Sequence, residues 1–540
     1  MAKYTLYPIL GLKSDVGEND PTLFRQFADG FACHCVDGRN ISFNRTRNAT
    51  GKSEGYAQWS NSATDTSPSN CLGIFELFDG SNRKVWIAYD GNMYRYDGSR
   101  DPQEVADTGA TAWASDSTDF YSIMRYGDYM VFSDYGEHSP YCSDHDDANL
   151  IPLISSGTAY KGKYLESFQR RILLANVTSG ITTNPELSVI WTDANPVPGS
   201  SCTFGSGDPP SNHLYIPIDD SITGIKKLGR NACVIYTDTS INTLDYYIDY
   251  TSPFGITTII PNQGFVNNQC IVDVNMNHYG YNKNYGFCKF DGSYNFPAGG
   301  KPISYDIDKW IREIKSSSFD YIVGVRHPLK NEIMWTVALE GSTAPNAILS
   351  YDFIEGSWTR YDIATRYLAP FIAATNITWT TLGNLGFTTW ASLGNLRWSD
   401  LVQESPKIAF SGTDGHLYYI GTETADSAAL DGYRVEPIID MGNPNAKKLV
   451  SEIWFNLAEI GNYSLYVYYR NGNTPGECKN NAWVALNEIS VNSPEDAVTY
   501  VTDAMMKSKR FHQIKWGTDG ANEPFVINRI DFKYEVEAQY

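Results

Sequence analysis

The stretch Ile74–Ser99, IFELFDGSNRKVWIAYDGNMYRYDGS, carries the same aromatic-Asp-Gly punctuation three times, at Phe78, Tyr89 and Tyr96. Aspartate accepts from its own downstream backbone and glycine tolerates positive φ, so each triplet predicts a tight reversal between short strands. The punctuation returns at Phe290 in NYGFCKFDGSYNF. A longer form occurs in ILSYDFIEGSWTRYD, where Tyr351-Asp352 precedes Gly356 and Trp358, and IAFSGTDGHLYYIGTE, from Ile408, is another strand-turn-strand unit.

Between these units lie apolar, β-branched runs: YGDYMVFSDYG, RRILLANVTSG, LSVIWTDANP, GRNACVIYTDTSINTLDYY and NEIMWTVALEG. Each predicts a central strand of a small antiparallel sheet, and repetition at roughly 30–60 residues is the spacing of propeller blades. Two packed sheets would not need so many separate hairpins. The expected fold is therefore all-β, a β-propeller over residues 1–437. Beyond Pro437 the texture changes to longer alternating strands, KKLVSEIWFNLAEIGNYSLYVYYRNG and FVINRIDFKYEVEAQY, which predict a β-sandwich-like domain over 438–540. NGNTPGECKNNAW reads as a hairpin loop inside it. Helical spacing is confined to Ile307, Trp310, Ile311 and Ile314, and to a short segment near Ala504.

The chain has 540 residues, is 42% hydrophobic and 14% aromatic, and has a formal charge of −20. That charge opposes tight binding of nucleic acid, which needs clustered Lys and Arg, but suits a wall past which DNA slides. The basic groups at 170–171, 226–228, 447–448 and 507–510 are short and scattered, and each reads as a strand end or turn. Nine cysteines, an odd number with no Cys-x-x-Cys, predict free buried thiols, with Cys33 and Cys35 on an alternating strand. No signal-peptide or membrane-length apolar run is evident, so synthesis in the cytosol is expected.

Chemistry-bearing patterns are scarce. GEHSPYCSDHDDANL collects His138, Cys142, Asp144, His145, Asp146 and Asp147, residue types that bind metals, but at no recognised ligand spacing. SDYGEHS and SGTDGHLYY are only fragments of a sialidase Asp box. Nucleophile elbow, P-loop, dinucleotide glycine run and zincin motif are all lacking. No catalytic residue, metal or cofactor is expected.

The segment TWTTLGNLGFTTWASLGNLRWSDL, Thr378–Leu401, repeats Trp-x-x-Leu three times, at Trp379/Leu382, Trp390/Leu393 and Trp398/Leu401. Thr, Gly and Asn make it a poor helix. It reads as an insertion, 375–402, between two blades. Its indoles either staple the loop to its own domain or dock on a neighbouring subunit or partner.

The opening GLKSDVGENDPTLFRQFADGFACHCVDG, the aromatic-Asp-Gly run, the Trp-x-x-Leu insertion and the closing INRIDFKYEVE together resemble the propeller proteins at the end of short-tailed bacteriophage tails. These are the nozzle, hub or packaged-DNA stabilisation proteins. The resemblance implies a propeller of about six blades, with seven possible, in a structural virion protein made in the bacterial cytoplasm and forming a homohexameric ring below the portal and adaptor. Such a ring closes the DNA channel after packaging, supports fibres or a needle, and opens for ejection. DNA would pass without specific binding. The alternative readings are a glycan-binding or glycan-degrading tail component and a cellular interaction scaffold.

Overall fold

The computed structural model describes residues 2–537 except 45–48, 65–69, 79–82, 98–99, 106–112, 114–115, 117, 145–149, 155–156, 218–219, 248–252, 375–403, 423–424, 426–427, 460, 493–496, 501–507 and 522. Strand accounts for 51% and helix for 6%. The fold is all-β and propeller-like, and among the described residues seven small antiparallel sheets follow one another, where the resemblance implied about six with seven possible.

The first sheet is the run quoted above. Cys71–Phe78, Arg83–Tyr89 and Asn92–Asp97 pair in order, and Gln103–Glu104 adds the edge. Asp90 and Gly91 make the reversal that joins Tyr89 to its partner Asn92, with Gly91 at φ +74. The first strands of the following sheets are Ser122–Tyr126, Lys161–Phe168, Ile222–Leu228, Val272–Val274, Gly324–Arg326 and Leu368–Ala374. Each of these touches the next, and Leu368–Ala374 returns to Cys71–Phe78. Between the first two sheets, the Tyr121 N–H donates to the Leu72 carbonyl at 2.9 Å. Seven inner strands thus surround one axis.

The second strands carry the apolar runs because neighbouring sheets cover both their faces. In Arg171–Ser179 every residue from Ile172 to Val177 is buried, and in Glu332–Val337 every residue after the first. The seventh sheet closes the ring. Leu368–Ala374, Glu404–Ser411 and Leu417–Thr422 receive their fourth strand, Gly55–Gln58, from the beginning of the chain.

That closure corrects the expected domain boundaries. The described strands before Gly55 pair outside the seven sheets. Ala2–Tyr7 pairs with Val526–Val536, Ala49–Lys52 pairs with the same strand, and Asp37–Arg39 pairs with Gly432–Val435. The propeller runs from Gly55 to Thr422, and the second unit is assembled from both ends of the chain. It is a sandwich, as expected of its C-terminal half. One sheet is built on Lys448–Glu459 and Val526–Val536, the other on Ser464–Gly472 and Phe511–Thr518. Ile453, Phe455 and Phe532 from the first sheet meet Leu465, Val467 and Trp516 from the second in one core. Sequence periodicity cannot reveal such pairing, because the alternation of a strand does not say which strand lies beside it.

The units are joined along Ser357–Tyr361. Asn40 donates its N–H to the Arg360 carbonyl at 2.8 Å and accepts from the Asp362 N–H at 3.0 Å. Arg39 reaches Glu340 at 2.7 Å and Asp362 at 3.3 Å, while Arg360 reaches Glu340 at 3.0 Å and Asp362 at 3.0 Å. Gly11 is required here by close approach, since a Cβ would lie 2.5 Å from the Ser357 Cβ.

Smaller expectations divide. Ile307, Trp310, Ile311 and Ile314 are all buried; the first three lie on a short helical stretch, Tyr305–Ile307 followed by Asp308–Ile311, and Ile314 follows in the turn beyond it. The segment near Ala504 falls outside the described residues. NGNTPGECKNNAW is not a plain hairpin loop: Pro475–Asn480 is helical, capped by Thr474, whose hydroxyl accepts from the Glu477 N–H. The 447–448 pair stands at a strand end, as read, with Lys447 exposed, but Lys448 is fully buried and not solvated. All nine cysteines are free and buried.

Candidate functional site: the propeller axis

Three consecutive carboxamides, Asn267, Asn268 and Gln269, occupy the connection between Phe254–Pro261 and Val272–Val274. Each side chain ties a different part of the ring. Asn267 Nδ2 donates to the Phe319 and Asp320 carbonyls at 3.0 and 3.2 Å, in the connection before the sixth sheet. Asn268 Oδ1 accepts from the Ile225 N–H at 3.1 Å, on the inner strand of the fourth. Gln269 Nε2 donates to the Tyr121 carbonyl at 2.8 Å, at the start of the second. The segment is itself fixed. Asn267 Oδ1 accepts from the Cys270 N–H at 2.7 Å, and the Gly324 N–H donates to the Gln269 carbonyl at 2.8 Å. Gly264 permits its approach, since a Cβ there would sit 1.7 Å from the Thr237 carbonyl oxygen.

Gln269 borders two cavities. On one side is a hollow of about 480 Å³ lined by Ile74, Ile123, Ile271, Leu368 and Phe371, with Glu76, Arg125 and Lys226 also in its wall. On the other is a polar basin of about 330 Å³ that includes Tyr135, Lys163, Asp238, Asn268, Lys283 and Asp320. Lys163 Nζ stands 4.3 Å from the centroid of the Tyr135 ring, a cation–π contact. Lys283 and Asp238 pair at 3.5 Å. Loss of hydration raises the Asp320 carboxyl above the usual range, and Asp238 adds to the effect. Nearby Asp119 is pushed up to about 6, first by desolvation and then by Asp116, with Lys163 opposing.

The described residues of the acidic loop do not gather at one point. His138 packs against Trp113 with ring centroids 5.4 Å apart, and its Nδ1 lies 2.5 Å from Asp134 Oδ2. Cys142 is buried in a different cluster, with Val131 and Leu153. Asp144 follows the strand Tyr141–Ser143, and His145, Asp146 and Asp147 lie outside the described residues. Among the described residues no group of three or more His, Cys, Asp or Glu is placed to hold a metal ion.

Trp379, Leu382, Trp390, Leu393, Trp398 and Leu401 also lie outside the described residues, but their stem does not. Leu368–Ala374 and Glu404–Ser411 stay paired to their last residues, Ala374 opposite Glu404. The insertion therefore leaves from a hairpin within the seventh sheet, not from a connection between two blades as expected. The axial carboxamides escaped the sequence reading altogether. The available signal was a run of three amides, Asn267 to Gln269, between apolar Phe265-Val266 and Cys270-Ile271.

No protein-family model and no curated protein matches the chain. Among solved structures it is similar to the extracellular domain of a hybrid two-component system from Bacteroides thetaiotaomicron, at 10% identity and TM-score 0.41, covering 93% of this chain and 62% of that one. It is similar to YCF48 bound to D1 peptide at 10% identity and TM-score 0.36, covering 68% and 96%. It also matches an exported protein of Bacteroides fragilis at 12% identity and TM-score 0.31, covering 69% and 95%. At these scores none of them bears on function.

Proposed function

We propose that the chain is a structural subunit of a ring at the end of a short-tailed phage tail, a homohexamer below the portal and adaptor that closes the DNA channel and opens for ejection. The observation that carries this reading is the paired stem Ala374/Glu404. A paired two-strand stem in the closing sheet flanks a segment with three Trp-x-x-Leu units, and large aromatic side chains are the residues that anchor interfaces. The −20 charge is consistent with DNA passing without adhering. Fibre or needle proteins would attach to the same ring. The reading assigns the chain no catalytic step and no cofactor.

Electron microscopy of the purified protein, alone and mixed with its portal–adaptor complex, tests this. A six-fold ring on the portal axis is expected. Replacing Trp379, Trp390 and Trp398 together with Ala should abolish ring formation and leave the monomer's melting temperature unchanged. Persistent monomers in the presence of the portal, or rings formed equally well by the triple variant, would discard the docking arm.

A further inference from the structure

Asn268 is 1% exposed, and its carboxamide is used on one side only. Oδ1 is engaged by the Ile225 N–H, which fixes which way the amide faces. Nδ2 has no acceptor among the described residues, although the side chain lines the polar basin. Buried donors are almost always satisfied, so an orphaned one in a cavity wall marks a place where something else supplies the acceptor. A second donor points the same way: Lys163 has no carboxylate within 4 Å among the described residues, and it is held over Tyr135 instead. Tyr135 has φ +60, a left-handed conformation that a bulky side chain adopts only under constraint, and such strain concentrates at binding sites.

The rest of the basin supplies the complement. Asp320 and Asp238 offer acceptors, Lys283 a further donor, and Phe120 and Phe319 apolar ring surface. Two carboxylates in the wall and the acidic chain as a whole disfavour an anion, while two lysines disfavour a cation. What fits is an uncharged molecule whose edge both donates and accepts and whose flat face is C–H.

We propose that this basin binds one uncharged pyranose residue of a glycan, with Asn268 Nδ2 and Lys163 Nζ donating to its hydroxyls and Asp320 accepting from one. The site lies within a single subunit, so the proposal stands or falls independently of the ring.

The test is calorimetric titration of the full chain with D-glucose, D-galactose, D-mannose and N-acetyl-D-glucosamine. At least one should bind with a Kd on the order of 1 mM, the affinity of a single small contact surface. Lys163→Met, at a half-exposed position, should weaken it at least about tenfold with unchanged melting temperature. Asn268→Asp, which retains the acceptor for Ile225 and removes the donor, should abolish it. Absence of binding by all four sugars at about 50 mM, far above the expected Kd, would mean that Asn268 is satisfied by water alone and would overturn the proposal. Undiminished binding by Lys163→Met would overturn it equally.

Discussion

Arg434 Nε donates to Glu436 Oε1 across 2.8 Å, with the two side chains 0% and 1% exposed. Around this pair the beginning and end of the chain are tied together. Arg434 Nη2 donates to the Cys33 carbonyl at 2.9 Å, and Nη1 to the Leu10 carbonyl at 3.2 Å. Glu436 accepts from Trp516 Nε1 at 2.9 Å and from the Cys33 thiol at 3.1 Å. A charge so placed is tolerable only while its partner remains. Arg434→Met should therefore destabilise the sandwich by about 3–5 kcal/mol, the cost of stranding one member of a buried pair. Adding Glu436→Gln should recover part of that loss. Hydrogen exchange under rising urea, read at Gly432–Val435 and Phe511–Thr518, measures both effects.

Truncation should separate the two units unequally. A fragment covering residues 55–430 contains all seven sheets and should fold as a closed ring. Residues 438–540 alone lack Ala2–Tyr7, Asp37–Arg39 and Gly432–Val435, which supply strands to both sheets of the sandwich. That fragment should remain largely unfolded by circular dichroism. A cooperative melting transition from it would contradict the shared architecture.

Acid should weaken the fold through two buried imidazoles. His278 Nε2 donates to the Lys227 carbonyl at 3.0 Å, so Nδ1 accepts from the Tyr236 hydroxyl at 2.7 Å. His512 repeats the arrangement between the Lys509 carbonyl and the Tyr469 hydroxyl. Burial lowers His278 to about 4 and His512 to about 3. Both are held neutral when folded, whereas the unfolded chain takes up protons below the ordinary value of about 6.5. Their contribution is complete above that pH and is lost as pH falls towards the folded values, at up to about 1.4 kcal/mol per pH unit for each proton. Melting temperatures between pH 7.5 and 4.5 should fall steadily, and His278→Gln with His512→Gln should flatten the slope. Stability that rose on acidification would refute the assignment of these two groups.

Gln269→Leu should cost about 1 kcal/mol, the net worth of a hydrogen bond, and more if the Tyr121 carbonyl finds no new donor. A denaturation midpoint equal to wild type would show that the tie across the axis is dispensable.

The sequence was informative where structure is local. Aromatic-Asp-Gly at Tyr89 and Phe290, and the longer turn after Tyr351, end strands where their chemistry predicts, and Asp352 Oδ1 accepts from the Ile354 and Glu355 N–H groups, each at 2.8 Å. Cys33, His34 and Cys35 alternate in burial as read, both thiols inside and the imidazole partly outside, although the strand Gly30–Cys33 ends before His34 and Cys35 makes only an isolated bridge to Leu12. What the sequence hid is non-local. Nothing in Gly55–Gln58 announces that its partner is Leu417–Thr422, and nothing in Thr5 points to Asp531. The candidate site was hidden for a related reason: Asn267, Asn268 and Gln269 become special only because three separate sheets converge on them. Amides in a loop otherwise look like ordinary turn residues.

Because Thr5 bonds Asp531, 526 positions further on, the first strand emerges from the ribosome long before its partner exists. At about 5–20 residues per second, that interval is on the order of half a minute to nearly two minutes. The blades can form in succession meanwhile, but the ring stays open until the seventh sheet can take back Gly55–Gln58. Throughout that time Ala2–Tyr7 has Gly30–Cys33 on one side only, its other edge is open in a cell making many copies of the same chain, and exposed edges of that kind invite pairing between molecules. The alternation Tyr4, Thr5, Leu6 next to Lys3 therefore places a nascent-chain hazard at the N-terminus. Yield of native protein should be most sensitive there to the rate of synthesis and to chaperone supply, rather than anywhere in the propeller.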